Sequence, residues 1–311
     1  MTIIQHVPDK ADTLIKMIEL ANKSLEVIGA ASCWGAQDHR CETGPLILRS
    51  HGLLQELQRE GYDVGWQYCD LPYLRDRETN TLPIIASYCS ELATTVYDAV
   101  RKNRQFAVIG GDHSCAIGTW SGAHAATRDH GPMGLIWIDA HMDSHTPQTT
   151  HSGAIHGMPL AVLLGQGDPA LTTIMTRGAK VASSHVALIG VRSFEPEEAA
   201  LLRNLGVRVF FIDEVRRRGM TAVMRDALEI VRNGTLSFGL SIDLDAIDPE
   251  DAPGVGSPEP NGIGGEALLE SLALLRGADD LLGVEVVELN PSRDLEDRTA
   301  QLASDIIVAS F

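Results

Sequence analysis

Leu135-Ile136-Trp137-Ile138-Asp139-Ala140-His141-Met142-Asp143 is the stretch on which the fold turns. Four apolar residues run without a break, then give way to an acid, an imidazole and a second acid at alternate positions. A short unbroken apolar run suits a strand buried on both faces, as in a parallel sheet. The acids and the histidine stand where that strand leaves the sheet. Open parallel sheets place their sites in loops at the carboxyl ends of the strands.

Working outward, the same kind of run recurs at Leu25–Ile28, Phe106–Ile109, Val186–Ile189, Val207–Phe211, Leu240–Asp243 and Leu282–Val287. Between the runs lie segments with apolar residues at helical spacing: Pro45–Glu60, Pro83–Val100, Glu195–Leu205, Thr221–Val231 and Glu266–Leu275. Strands alternating with helices predict βαβ units and a doubly wound parallel sheet. No internal repeat, low-complexity tract or Pro/Ser-rich linker divides the chain, so residues 1–311 read as one domain. Two irregular stretches, Met142–Gly153 and Pro249–Gly265, each follow a strand that ends in acidic residues.

Composition narrows the function classes. With 25 Lys and Arg against 42 Asp and Glu, the formal charge is −17. Such a chain is a poor partner for nucleic acid or an anionic membrane and is compatible with a cationic ligand. No apolar run reaches the ~18 residues that span a bilayer, and Met1-Thr2-Ile3-Ile4-Gln5-His6 lacks the pattern of a secretory signal. Cys33, Cys41, Cys69, Cys89 and Cys115 are scattered, with no CxxC spacing, which predicts buried or free thiols in a cytoplasmic protein.

Three clusters carry chemistry, each at the end of an apolar run: Gly110-Gly111-Asp112-His113-Ser114, Asp139-Ala140-His141-Met142-Asp143, and Asp243-Leu244-Asp245-Ala246-Ile247-Asp248-Pro249. Alternate residues of an extended chain point to one side. Taken singly, an Asp-His after a strand is a turn and an Asp-x-Asp a helix cap. Together they crowd four carboxylates, which repel one another unless a cation lies among them. Asp139, Asp143, Asp243 and Asp245 balance two divalent ions, and His113 and His141 give each ion one nitrogen. A ligand set rich in oxygen favours a harder ion such as manganese over thiolate-bound zinc. Paired metals of this kind activate water near neutral pH, so the chemistry implied is hydrolysis.

These clusters, with Ser152-Gly153-Ala154-Ile155-His156-Gly157-Met158-Pro159, Glu288-Leu289-Asn290-Pro291 and Gly44-Pro45, resemble the arginase/ureohydrolase family from about Gly35 to the C-terminus. The resemblance implies a three-layer α/β/α fold on a mostly parallel, eight-stranded sheet. It also implies a dinuclear manganese site, with cobalt or nickel as alternatives, and hydrolysis of a small cationic guanidino substrate to release urea. One ion would take His113, Asp139, Asp143 and Asp243, the other His141, Asp139, Asp243 and Asp245. The catalytic residues would be His156, which shuttles protons, Glu288, which grips the guanidinium, and the ligand Asp143. A histidine with an ordinary pKa near ~6.5 suits proton transfer to a leaving amine. A carboxylate suits a planar cation with several N–H donors. Family members are commonly trimers or hexamers.

Thr150 and Ser152 match positions that bind the α-carboxylate of an amino-acid substrate, and Glu195 matches one that meets the α-amino group. Ser257 is a candidate for the pocket wall. His145 and Ala154 stand where arginases commonly carry asparagine; the imidazole can still donate to a carboxylate, the alanine cannot. L-Arginine is the substrate these residues favour. Alternatives are an agmatinase or guanidino-acid hydrolase, a single-zinc amide hydrolase, and a metal-binding regulatory protein without turnover. The six-residue ligand set argues against the second, and intact His156 and Glu288 against the third.

Overall fold

The computed structural model describes residues 23–70 and 80–311; Met1–His6, and with them the reading on a secretory signal, lie outside these. In chain order the strands are β1 (Ser24–Ala31), β2 (Asp63–Asp70), β3 (Gln105–Gly110), β4 (Met133–Ile138), β5 (Val186–Val191), β6 (Arg208–Phe211), β7 (Ser237–Asp243) and β8 (Leu281–Val287). The helices are α1 (Gly44–Ser50), α2 (Leu53–Arg59), α3 (Leu82–Arg101), α4 (Ala116–Thr127), α5 (Pro159–Leu163), α6 (Pro169–Thr172), α7 (Pro196–Leu205), α8 (Ile212–Arg218), α9 (Met220–Arg232), α10 (Gly265–Leu272) and α11 (Arg298–Ser310). One eight-stranded sheet results, in the order β2-β1-β3-β8-β7-β4-β5-β6, with every pairing parallel.

Both faces of the sheet are covered, which is why its strands read as continuous apolar runs. In β4, Ile136 and Ile138 pack into one layer with Leu48 of α1, Leu57 of α2, Met224 of α9, Leu268 of α10 and Ile306 of α11. Leu135 and Trp137 pack into the other, with Leu92 of α3, Trp120 of α4 and Leu163 of α5. Each such side chain, fully buried, contributes roughly 1.5–3 kcal/mol of transfer free energy.

Four elements depart from the expected pattern. The helix expected over Pro45–Glu60 is two, broken where Gly52 takes φ 92° between α1 and α2. The edge strand β2 pairs only with β1, so its sequence lacks a continuous apolar run. Helix α4 is buried nearly all round and shows no polar face. It lies so close to α3 that a Cβ on Gly122 would sit 2.2 Å from the Ala93 carbonyl oxygen. The terminal helix α11 starts from Asp297 at φ 55°, and its first amides are capped not by that residue but by Asp294, which accepts from Thr299 N (2.9 Å) and Ala300 N (3.0 Å).

Topology then positions the site. The chain lays β1 to β3 on one side of the sheet and β4 to β6 on the other, and returns to insert β7 and β8 between them. The carboxyl ends of β3, β8, β7 and β4 therefore stand side by side at a switch point.

Candidate metal centre

The three clusters quoted from the sequence leave β3, β4 and β7 at this point. After β3 the chain needs glycine: a Cβ on Gly111 would sit 2.0 Å from the Ser32 carbonyl oxygen. Asp112, fully buried, turns its carboxylate to the backbone, accepting from Gly35 N (2.8 Å) and Ser114 N (2.9 Å). That fixes the turn presenting His113. Its Nδ1 lies 3.0 Å from Asp143 Oδ2, 3.1 Å from Asp243 Oδ2 and 3.3 Å from Asp139 Oδ2. His141 Nδ1 lies 3.1 Å from Asp245 Oδ2 and 3.5 Å from Asp139 Oδ1. Asp139 thus turns one oxygen to each histidine. Asp243 approaches His113 through Oδ2, while its Oδ1 accepts from Asp245 N (2.9 Å). Asp143 holds φ 46°, a left-handed backbone that costs a non-glycine residue of order 1–3 kcal/mol and is characteristic of functional sites.

Hydrogen bonding assigns the His113 tautomer. Ser241 donates its one proton to Glu285 Oε2 (2.7 Å), so its oxygen accepts from His113 Nε2–H (3.0 Å). Glu285 is itself buried and also accepts from Trp120 Nε1 (3.1 Å). In a neutral ring Nδ1 is then a bare lone pair, buried and without a hydrogen-bond partner, facing three carboxylate oxygens. Only a cation relieves that arrangement, a proton or a metal ion. Protons alone would leave the cluster strongly perturbed. Burial opposes charge on His113, yet Asp139, Asp143 and Asp243 hold its pKa well above the usual range. Burial and repulsion from Asp139 push Asp143 up to about 6, and burial with repulsion from Asp245 and Asp139 raises Asp243 well above its ordinary value. One nitrogen with several carboxylates on each side fits two hard divalent ions.

The two histidines differ in their outer partners. The His113 ring stacks on Trp137 (centroids 4.2 Å apart), whose Nε1 donates to Asp139 Oδ2 (2.9 Å). His141 is part-exposed, and its Nε2 lies 3.8 Å from Glu259 Oε1. The loop carrying Glu259 is stapled to the β7 end by Arg192, which donates to the carbonyls of Asp245 (2.7 Å), Ala246 (3.1 Å) and Glu259 (2.8 Å).

His156 and Glu288 meet directly, Nδ1 to Oε1 at 3.1 Å. Burial disfavours the imidazolium, but the bond to Glu288 outweighs it and raises the His156 pKa to about 9. Glu288 sits at φ 67° just beyond β8; Oε1 also accepts from His113 N (3.1 Å), and Oε2 from the Cys41 thiol (3.4 Å). Gly256 crosses so near that a Cβ there would lie 2.7 Å from Glu288 Oε2, which brings the second irregular loop to this carboxylate. Ser257, next along, is exposed.

The other predicted residues lie on loops. Thr150 Oγ1 accepts from Gly153 N (3.0 Å) and Ser152 Oγ from Ala154 N (3.2 Å), so each hydroxyl keeps its proton to donate. Glu195 is the N-cap of α7 in a reciprocal capping box with Glu198. His145 is buried and committed at both nitrogens, Nδ1 to Thr149 Oγ1 (3.1 Å) and Nε2 to Glu195 Oε2 (3.0 Å). The structure thus turns His145 toward an acid rather than leaving it open to a ligand's carboxylate.

Ser241, Glu285, Trp137, Glu198, Glu259, Cys41 and Arg192 were not among the predicted site residues. Two left a signal in the sequence. Ser241 precedes Asp243 by two and so shares its side of the strand, and Glu285 is an acid inside a buried apolar run. All five cysteines are buried and none forms a disulfide. No helix among the described residues is long and apolar enough to cross a membrane.

Known proteins resemble this chain in sequence and in fold. The arginase family matches residues 23–311. The arginase of Bacillus caldovelox is 37% identical over 300 residues, covering 93% of this chain and 98% of that protein. A crystal structure of Bacillus caldovelox arginase superposes with a TM-score of 0.88 at 36% identity, covering 93% of this chain and 98% of the other. An arginase of Entamoeba histolytica, solved in complex with L-ornithine, superposes with a TM-score of 0.86 at 29% identity over the same shares.

Proposed function

Because the chain belongs to the arginase family, we propose that this arginase-like ureohydrolase hydrolyses L-arginine to L-ornithine and urea with two manganese ions. The observation that carries the reading is Asp139, which offers one oxygen to each of two histidine-centred groups of acids. His113, Asp139, Asp143 and Asp243 would hold one ion, and His141, Asp139, Asp243 and Asp245 the other. Cobalt or nickel would suit the same donors. Two such ions supply an activated water and neutralise developing charge.

The remaining steps belong to the chain's own side chains. Glu288, deep beside the cluster, accepts N–H groups of the planar guanidinium. It also keeps His156 protonated through Nδ1, which leaves the Nε2 proton for the departing δ-amine of ornithine. Thr150 and Ser152 donate their hydroxyl protons to the α-carboxylate, Glu195 receives the α-ammonium, and Ser257 borders the pocket. L-Ornithine, the ligand of the Entamoeba histolytica protein, is the product this arrangement would release. We place the protein in the cytoplasm, as a single-domain chain in a trimer or hexamer.

Urea release from L-arginine, agmatine, 4-guanidinobutyrate and 3-guanidinopropionate, with manganese supplied, tests the reading. L-Arginine should give the highest kcat/KM, since agmatine lacks the carboxylate that Thr150 and Ser152 would bind, and each such hydrogen bond to a charged group is worth about 10–100-fold. A higher value for agmatine or a guanidino acid transfers the function to that substrate. No urea from any of them contradicts the hydrolase itself.

A further inference from the structure

The geometry points to His145 as a positioning residue that holds Glu195 for the substrate's amino group and takes no part in reading its carboxylate. This inference rests on the arginine-type reading above and assigns His145 a different duty within it. An imidazole in that loop has two atoms with which to act, and both are committed.

Carboxylate oxygens only accept. Glu195, held below the ordinary carboxylate range by its bonds to Glu198 and His145, lies with Oε2 3.0 Å from His145 Nε2 and therefore requires a proton there. On the other side of the ring, Thr149 Oγ1 already accepts from Thr146 N (2.9 Å) and has one proton to give. In the neutral ring that proton goes to Nδ1; in a charged ring Nδ1 would donate back to Thr149. Either way no N–H remains for a bound anion. The backbone that carries the ring is anchored as well, because His145 N donates to Gly157 O (3.0 Å).

Glu195 is correspondingly over-determined. Its carboxylate caps the backbone of α7, and Glu198 in return accepts from Glu195 N (3.0 Å) and from Ser144 N (3.1 Å). The segment leading to it is tied to the metal-bearing loop, since Arg192 N and Ser193 N both donate to Ala140 O (2.8 and 3.0 Å). Yet the Glu195 side chain is 47% exposed, against 11% for His145. A pinned acid with an open face suits an ammonium group; a buried imidazole with no free donor does not suit a carboxylate. The far end of the site is therefore weighted toward amine recognition, with the carboxylate left to Thr150 and Ser152.

The test compares three substrates that share the guanidinium: L-arginine with both groups, agmatine with the amine alone, and 5-guanidinopentanoate with the carboxylate alone. His145→Ala should lower the L-arginine to 5-guanidinopentanoate ratio of kcat/KM about 10–100-fold, the weight of a hydrogen bond to a charged group. The change should lie in KM, and the L-arginine to agmatine ratio should move less than about threefold. His145→Gln, which places an amide N–H near the Nε2 position, should restore much of the preference, and His145→Asn, too short to reach, should not. A shift of the agmatine ratio instead, or equal rescue by both amides, overturns the proposal. Calorimetry of the manganese-loaded protein with L-ornithine, putrescine and 5-aminopentanoate asks the same question without turnover, and failure to distinguish wild type from His145→Ala there also overturns it. Wild-type protein that releases urea from none of the three substrates refutes the arginine-type reading, while the calorimetric arm still decides the role of His145.

Discussion

At the ends of β3, β4 and β7, five of the six candidate ligands are buried, and the Asp139 and Asp243 carboxylates are each held by the backbone amide two residues on. The residues expected to read the rest of the substrate are held differently. Thr150, Ser152 and Ser257 are partly or fully exposed and sit on irregular loops, and the hydroxyls of Thr150 and Ser152 accept only from backbone two or three residues on. The first region has little freedom, because moving one acid leaves its neighbours' charges unbalanced. The second can exchange one donor for another without disturbing the sheet. His145 and Ala154, where the resemblance places asparagine, lie in the same loop, so on the proposed reading the chemistry is anchored in the fold and the choice of substrate in the loops.

The largest expected effect strikes the first region. Asp139→Ala should cost affinity for both ions, beyond the ~10–100-fold that outer partners of a metal site contribute. Asp245→Ala should spare the ion at His113. Metal analysis after dialysis checks both, and a variant lacking Asp139 that kept two tight ions would erase the distinction between the regions.

His156→Ala comes next, with turnover falling roughly 10²–10⁴-fold while both ions stay bound. Partial recovery with added imidazole would show that a proton donor was lost rather than a structural support. Behind the cluster, Glu285→Gln or Ser241→Ala should weaken metal binding about 10–100-fold, measured by competition with a chelator. Unchanged affinity would mean that the tautomer of His113 is set elsewhere.

The fold and the cluster were legible because both rest on local pattern. Phe106–Ile109 and Leu135–Ile138 are apolar on both faces, and the acids fall directly after them. What escaped has a physical cause in each case. Asp63–Asp70 is an edge strand with exposed positions, and Ala116–Thr127 is a helix with no polar side to mark its period. The duty of His145 depends on Glu195, fifty residues away in sequence, and no local spacing reports that pairing.

A smaller effect concerns pH. Bonding to Glu288 raises the His156 pKa from its ordinary ~6.5 to about 9. A folded-state value above the unfolded one means the pair stabilises the protein fully below ~6.5, and that contribution is lost as pH rises through about 9. The protonated donor should persist to the same limit, so the alkaline limb of kcat should fall near pH 9 and move down in Glu288→Gln. Smallest of all is Ser152→Ala, expected to reduce kcat/KM for L-arginine about tenfold, as one lost hydrogen bond to a charged group does. Its effect on agmatine should be slight, and the kinetic comparison of the two substrates reads it.

Anomalous diffraction at the manganese edge, from crystals grown with the metal, tests most directly whether the strand ends form a two-ion site. Two peaks are predicted, one beside His113 Nδ1 and one beside His141 Nδ1, with Asp139 touching both. A single peak, or two with no shared carboxylate, would contradict it.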